Sequence, residues 1–146
     1  MDRNQRERQH QAALERINQV RLVTGRGDRI RIDHEGTILE RARMIDEEFA
    51  SYQATERGLA AFERLLARGE DRRCRHQRDV LTFIAALLGD EALPLVTLRG
   101  LETAIADDMV AVLDAYRYGR LQLPDHVEGG PARVARVLRK PSLAGA

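Results

Sequence analysis

Apolar side chains recur every three or four positions from Ile38 to Leu138, and no other feature constrains the fold of this chain as strongly. This spacing places the apolar residues of each segment on one face of an α-helix. With 146 residues, the chain is long enough for those faces to enclose a core without disulfides or metal ions. We therefore predict a mainly α fold, in which a compact multi-helix bundle follows an N-terminal helix and a small β-hairpin.

Residues that start and stop helices divide the predicted bundle. Thr37 and Glu40 have the spacing of a capping box, which predicts a helix that runs to about Tyr52. The predicted buried stripe of this helix consists of Ile38, Ala42, Ile45, Phe49 and Tyr52. Thr55 is expected to cap the next helix, which ends at Gly69, although no strong breaker keeps these two helices apart.

Three further helices complete the bundle. Asp71 has the properties of an N-cap for a helix over 72–88, and we expect its apolar second half to be the most buried part of the fold. Gly119 predicts the end of a helix over about 102–118. Pro131, directly after a glycine, predicts the start of the last helix.

The segment over 20–33 has a different pattern from the rest of the chain. Two β-branched runs flank the glycines at positions 25 and 27, which favours a β-hairpin after an exposed helix over 1–18. The alternative is that the first helix continues to Gly25 and that one extended segment follows it. An isolated hairpin is only marginally stable, so it would have to pack on a helix or on a second copy of the chain.

The sequence predicts three regions. They are an N-terminal arm over 1–36, a helical domain over 37–140 and a disordered tail over 141–146. Cys74 is the only cysteine, which suits a reducing compartment. No stretch is long and apolar enough for a signal peptide or a membrane span, so we expect a cytoplasmic protein without a membrane partner.

Arginines cluster at the predicted start of the central helix. The whole chain has 24 basic and 23 acidic residues, so its overall charge does not argue for nucleic-acid binding. At a helix N-terminus, however, the macrodipole disfavours positive charge, and such a conflict can mark a contact site for a phosphate or an acidic partner. The alternative is a solvated turn that is neutralised by Glu63, Glu70 and Asp71. The candidate contact residues are Arg72, Arg73, Arg75, His76 and Arg78.

The predicted hairpin carries a second set of arginines. If it forms, Arg29 and Arg31 share one face, and Leu22 and the isoleucines line the opposite face. A basic ribbon could follow a nucleic-acid backbone or enter a groove. The alternative is an ordinary half-exposed hairpin. The candidate N-terminal contact residues are Arg21, Arg26, Arg29 and Arg31.

Residues of catalytic and metal-binding types are present, but their spacing argues against a shared site. Cys74 and His76 are two residues apart, so on a helix they point in different directions and cannot hold one metal ion. The acids and the histidine at 33–35 also diverge. Asp107 and Asp108 are better explained as surface charges, caps or partners of an arginine on a neighbouring helix. We therefore expect no enzyme activity, cofactor, metal ion or small-molecule substrate.

The second part of the chain resembles a known family. It carries Gly-Leu-Ala-Ala-Phe-Glu-Arg-Leu-Leu at 58–66, then a buried helix, then Leu-Val-Thr-Leu-Arg-Gly-Leu-Glu at 95–102 and Ala-Asp-Asp-Met-Val-Ala-Val-Leu at 106–113. This order resembles a compact helical domain of unknown function that is found in proteobacteria, often on plasmids, integrative elements and phages. The resemblance covers about 55–140. The chain departs from that family at 74–77, where Cys-Arg-His-Gln replaces a Thr-Gly-Gln-Ser-like sequence.

The resemblance implies no known activity, cofactor or active site, and it makes a mobile-element setting more plausible. Our functional hypothesis is a non-enzymatic binding module, an accessory or regulatory protein of a mobile element that contacts a protein partner or forms a homo-oligomer. The second hypothesis is a nucleic-acid-associated protein, either a regulator or a helical subunit of a nucleoprotein complex. It predicts that the basic segments 21–31 and 72–78 converge on one face.

Overall fold

The computed structural model describes the backbone of residues 1–144 and the side chains of residues 1–139. It confirms a mainly α fold with an N-terminal helix and a small two-stranded hairpin. The elements are α1 (Arg3–Ile17), β1 (Val23–Thr24), β2 (Arg31–Ile32), α2 (His34–Glu70), α3 (Gln77–Leu87), α4 (Thr103–Tyr118) and α5 (Gly130–Ala144).

The chain forms two compact units, Met1–Gln53 and Ala54–Ala146. This division lies inside α2, whereas we predicted a boundary between residues 36 and 37. The two helices that we predicted on either side of Thr55 are one helix, because no breaker interrupts it. Thr55, the predicted cap of the second one, is a buried residue inside α2.

Unit 1 begins with α1, which has a complete capping box. The Asp2 carboxylate accepts a hydrogen bond from the Gln5 backbone N–H at 2.8 Å, and the Gln5 side chain accepts one from the Asp2 N–H. His10 is buried and stacks on Tyr52 of α2 with ring centroids 4.1 Å apart. Its Nδ1 lies 3.0 Å from a carboxylate oxygen of Glu48, so one side chain attaches α1 to α2 by ring packing and a polar contact.

The hairpin follows α1, as the two-run pattern predicted. Val23 pairs with Ile32 and Thr24 with Arg31 in an antiparallel register. Gly25 has a φ of 95°, and a Cβ there would overlap the Arg29 carbonyl oxygen, so the turn requires glycine at this position.

The end of the hairpin is joined to the start of α2. The Leu22 N–H donates to the Thr37 hydroxyl at 3.0 Å, and the Leu22 carbonyl accepts from the Asp33 N–H at 2.9 Å. Asp33 also caps α2, because its carboxylate accepts from the Gly36 N–H at 3.0 Å. The predicted cap at Thr37 is therefore wrong: Thr37 lies in the first turn, and its hydroxyl donates to the Asp33 carbonyl at 2.6 Å.

Unit 2 contains the main hydrophobic core. The core is formed by the second part of α2 together with α3, α4, α5 and the 3₁₀ turn Leu123–His126. Phe62 of α2 and Phe83 of α3 are its largest side chains, and both are fully buried. The expected burial of the central helix is confirmed, since its core residues are Val80, Leu81, Phe83 and Ile84.

Two sets of ion pairs join the helices of unit 2 around this core. Arg64 of α2 donates to Asp108 of α4 at 2.8 Å, which confirms the predicted pairing of this acid with an arginine on a neighbouring helix. Arg133 of α5 pairs with Glu63 at 2.8 Å and with Glu70 at 2.6 Å, both on α2. These hydrogen bonds raise the pKa of both guanidinium groups above its usual range.

Helix ends in unit 2 follow the predicted glycines. Gly119 adopts a left-handed conformation with a φ of 64° directly after α4. The last helix begins at Gly130, next to the predicted Pro131. Its backbone is helical to Ala144, so part of the range 141–146 that we predicted to be disordered is helix. Gly145 and Ala146 lie outside the described residues.

Candidate functional site

Residues 72–76 of the arginine-rich segment form a loop, and only the last two residues of the segment, Gln77 and Arg78, lie in a helix. The Asp71 carboxylate accepts from the Arg73 N–H at 2.9 Å, and the Asp71 carbonyl accepts from the Cys74 N–H at 3.1 Å. Asp71 therefore caps a turn, and α3 begins only at Gln77. The predicted conflict between positive charge and the dipole of α3 does not exist for Arg72, Arg73 and Arg75, because they precede the helix.

The side chains of this loop are exposed apart from Cys74 and His76. Arg72, Arg73, Arg75 and Arg78 form no ion pair with a described residue. The acids Glu63 and Glu70, which we expected to neutralise them, are bound to Arg133 instead. His76 is half-buried, with Nδ1 3.9 Å from a carboxylate oxygen of Asp79. The loop is thus a solvated basic turn, and it has no second feature that would hold a ligand.

The hairpin of unit 1 is a more unusual surface. All eleven residues from 21 to 31 are exposed. Arg21, Arg26, Arg29 and Arg31 make no ion pair within the described part of the chain, and Asp28 is the only acid among them. Four unpaired guanidinium groups on eleven residues give this ribbon a local charge of +3.

The faces of the hairpin differ from the prediction. Arg29 belongs to the 3₁₀ turn Gly27–Arg29, so strand alternation does not place it with Arg31. Arg31 shares a face with its cross-strand partner Thr24, and alternation along the strand puts Leu22 on that face as well. Val23 and Ile32 form the other face.

Aliphatic side chains on the hairpin are left uncovered. Val23 is 64 % exposed and Ile30 is 58 % exposed, although the ribbon has only two strands. A two-stranded hairpin needs an apolar face packed on another element to be stable in water. Within the described residues, hydrogen bonds hold the end of the hairpin on α2, and no helix covers its apolar side chains.

A second uncovered apolar surface lies on α2. Three residues of the predicted core stripe are exposed, namely Ile38 at 66 %, Ala42 and Phe49, whereas Ile45 and Tyr52 are half-buried. Leu39, next to Ile38, is 67 % exposed. The prediction was wrong for the three exposed residues because periodicity identifies an apolar face but not what covers it. In unit 1, α1 and the hairpin make their polar contacts with other positions of α2, namely Thr37, Arg41 and Glu48.

Two charged positions border this stripe. Glu35 and Asp46 are exposed acids without a partner among the described residues. They lie four residues before Leu39 and four residues after Ala42, so all four share one side of the helix. We define the acidic stripe as Glu35, Ile38, Leu39, Ala42, Asp46 and Phe49. The basic hairpin is residues 21–32.

Titratable groups do not gather elsewhere in the described part of the molecule. No group of three or more His, Cys, Asp or Glu residues there is placed to hold a metal ion. Several acids and histidines are engaged in structural contacts, such as His10 with Glu48 and Asp108 with Arg64. The buried Nδ1 of His126 has no hydrogen-bond partner among the described residues. The His10 contact was not foreseen, because its partner lies 38 residues away and no local pattern connects them.

Comparison with known proteins places the second unit in a family. The model of a family of unknown function (DUF7673) matches residues 59–141, which is more than half of the chain. The chain belongs to the DUF7673 family. No curated protein and no solved structure matches it significantly. The match agrees with the predicted resemblance to a domain of unknown function over about 55–140.

The DUF7673 match leaves the uncovered surface of unit 1 outside its range. The basic hairpin and the acidic stripe both lie before residue 59, so the family assignment carries no information about them.

A membrane-spanning helix would need a long apolar stretch, and none of the helices in the part that the structure describes has one.

Proposed function

We propose that this DUF7673 protein is a non-enzymatic binding module that works through protein–protein contacts made by unit 1. One observation carries the proposal: the basic hairpin and the acidic stripe expose aliphatic side chains that their own chain does not cover. Contiguous exposed apolar surface on a folded protein commonly marks an interaction site. Unpaired arginines beside it favour an interface in which charges select the partner.

The roles of the titratable side chains support a binding function over catalysis. In unit 2, the ion pairs Arg64–Asp108 and Arg133–Glu63 join neighbouring helices. In unit 1, His10 is packed between aromatic rings and a carboxylate. Each of these groups has a structural partner, so none is left poised for proton transfer or nucleophilic attack.

The biological setting is part of the same proposal. The sequence resembles a domain that is often encoded by plasmids, integrative elements and phages, and this supports an accessory or regulatory role in a mobile genetic element. The single cysteine, Cys74, forms no disulfide and supports a reducing, cytoplasmic environment.

Affinity purification from the bacterial host tests the proposal. Tagged wild-type chain should retain specific proteins after nuclease treatment, and a Val23→Asp/Ile30→Asp variant should lose them. The matched control is Leu95→Asp/Val96→Asp, which changes a still more exposed aliphatic pair in unit 2 and should retain them. Equal capture by all three chains, or no nuclease-resistant capture, would reject a role for the hairpin in binding host proteins.

A nucleic-acid partner is the second candidate, and the four unpaired arginines of the hairpin favour it. Such binding should weaken steeply with salt, because phosphate contacts release counterions. A gel-shift titration with duplex DNA and with RNA between low and physiological salt tests this alternative. Arg29→Ala/Arg31→Ala should reduce the affinity and flatten the salt dependence, and an absence of any shift at low salt excludes it.

A further inference from the structure

We infer that the partner that covers unit 1 is a second copy of this chain. The basic hairpin of one protomer packs on the acidic stripe of the other, and the same contact occurs twice around a two-fold axis. This inference deepens the proposed function, and rests on it, because it names the partner of the same surface. Four features of unit 1 support it.

The first feature is the instability of the hairpin alone. It has two residues in each strand, and its aliphatic side chains Val23 and Ile30 are more than half exposed. Isolated ribbons of this kind gain too little from burial to offset the entropy of ordering the chain. A partner that buries these side chains would supply the missing stabilisation.

The second feature is the acidic stripe itself. Its apolar residues, from Ile38 to Phe49, repeat with helical spacing over about three turns, which is the pattern of a helix face that packs against protein. Surface helices of monomeric proteins usually present charged residues on their solvent side. Here Ile38 and Leu39 are about two-thirds exposed and lie on the outer side of α2.

The third feature is charge complementarity within one unit. The basic hairpin carries four arginines and one acid, whereas the acidic stripe carries two acids and no basic residue. Neither Glu35 nor Asp46 has a partner among the described residues, and the same holds for Arg26 and Arg29 in the loop between the strands. Opposite charges that both remain unpaired in one chain can pair across two copies.

The fourth feature explains why the contact forms between chains and not within one. Leu22 is bound to Thr37, and the Val20 carbonyl accepts from Arg41 at 2.8 Å, so the hairpin is fixed to one side of α2. Thr37 and Leu39 are about 160° apart around the helix axis. The hairpin is therefore attached to the side of α2 opposite Leu39 and Asp46. A two-fold dimer would present both surfaces to each other.

Other classes of partner explain less of this surface. A nucleic acid or an anionic membrane would neutralise the arginines, but the acids at positions 35 and 46 would repel it. Neither would account for an apolar stripe bordered by carboxylates. A second copy of the chain covers the apolar side chains of both the basic hairpin and the acidic stripe in one contact, and that contact also pairs their opposite charges.

Sedimentation equilibrium on the purified full chain tests the inference. The wild-type chain should have twice the 16.5 kDa mass of one copy at micromolar concentration, and its dimer should weaken as salt rises. Arg26→Glu/Arg29→Glu and Glu35→Arg/Asp46→Arg should each raise the dimer Kd about tenfold or more, because like charges then face each other.

Mixing these two charge-reversed variants provides the decisive measurement. Each homodimer has like charges at both contacts, whereas the heterodimer has opposite charges at both, so the mixture should dimerise with an affinity close to that of the wild type. Arg73→Glu/Arg75→Glu, which reverses the same number of charges in the loop of unit 2, should dimerise like the wild type. Unchanged far-UV circular dichroism would show that all variants fold.

Three results would overturn the inference: a wild-type monomer at every concentration, charge-reversed variants that dimerise normally, or a mixture that stays monomeric. The two proposals fail separately. A monomer that still captures host proteins through Val23 and Ile30 keeps the proposed function and removes this inference. A dimer whose charge swaps behave as expected, but which captures no other protein, keeps the inference and removes a role in binding host proteins.

Discussion

Arg64 and Asp108 form a two-pronged contact between α2 and α4: Nη2 lies 2.8 Å from Oδ1, and Nε lies 3.2 Å from both carboxylate oxygens. The partners differ in burial, since the Asp108 side chain is 11 % exposed and the Arg64 side chain is 58 % exposed. An exposed guanidinium that loses its partner is hydrated again, whereas a buried carboxylate is not.

This asymmetry predicts unequal costs for removing the two partners. Arg64→Ala should lower the free energy of unfolding by roughly 2 kcal/mol, because it leaves Asp108 buried and without its donor. Asp108→Ala should cost about 1 kcal/mol. Urea denaturation measures both values, and an equal or reversed order would contradict this account. Arg57→Ala is the control and should have little effect, because the ion pair of Arg57 with Asp114 is long, at 3.9 Å, and its guanidinium is exposed.

Gly58 allows α2 and α4 to approach closely. A Cβ at this position would overlap the Cβ of Ala115 and lie 3.1 Å from the Ala111 carbonyl oxygen. We predict that Gly58→Ala lowers the unfolding free energy by roughly 1–2 kcal/mol, because the overlap outweighs the better helix propensity of alanine.

Chemical denaturation and a compensating substitution test the close approach at Gly58. Gly58→Ala combined with Ala115→Gly should recover part of the lost stability. Gly100→Ala is a suitable control, because a Cβ there meets no atom within 4 Å and its φ is not in the left-handed range. A neutral or stabilising effect of Gly58→Ala would show that the helices can separate without cost.

His10 should be the main attachment of α1. His10→Ala removes the stack on Tyr52 and the contact with Glu48, and we expect a loss of about 1–2 kcal/mol in the local stability of α1. Native-state hydrogen exchange should therefore show faster exchange of the α1 amides in this variant. His34→Ala, at an exposed position of unit 1, should leave that exchange unchanged.

Among the arginines of α5, Arg133 should contribute most to the stability of the fold. Its side chain is largely buried and pairs with Glu63 and Glu70, so Arg133→Ala would leave two carboxylates without their common partner. We predict a decrease of roughly 1–2 kcal/mol in the free energy of unfolding. The matched control is Arg136→Ala on an exposed position of α5, and thermal or urea melts of both variants provide the comparison. Similar melts would mean that the cluster contributes nothing.

Local patterns predicted the helices, their glycine ends and the hairpin, because periodicity and positive-φ glycines act over a few residues. They failed at Asp71, since an aspartate caps a turn as readily as a helix. They also failed at Ile38, where the apolar period is present but its partner is not on the same element. His10 and Glu48 could not be connected from the sequence, because their contact depends on tertiary packing.

Asp33, Leu22 and Thr37 form one continuous set of hydrogen bonds, in which the strand end and the helix start share acceptors and donors. The ribbon therefore cannot open without freeing the first turn of α2, and both should melt as one cooperative unit. A molecule that binds the hairpin should therefore also reduce fraying of the first turn of α2. Binding at the loop tip would then be detected as slower hydrogen exchange of amides several residues away.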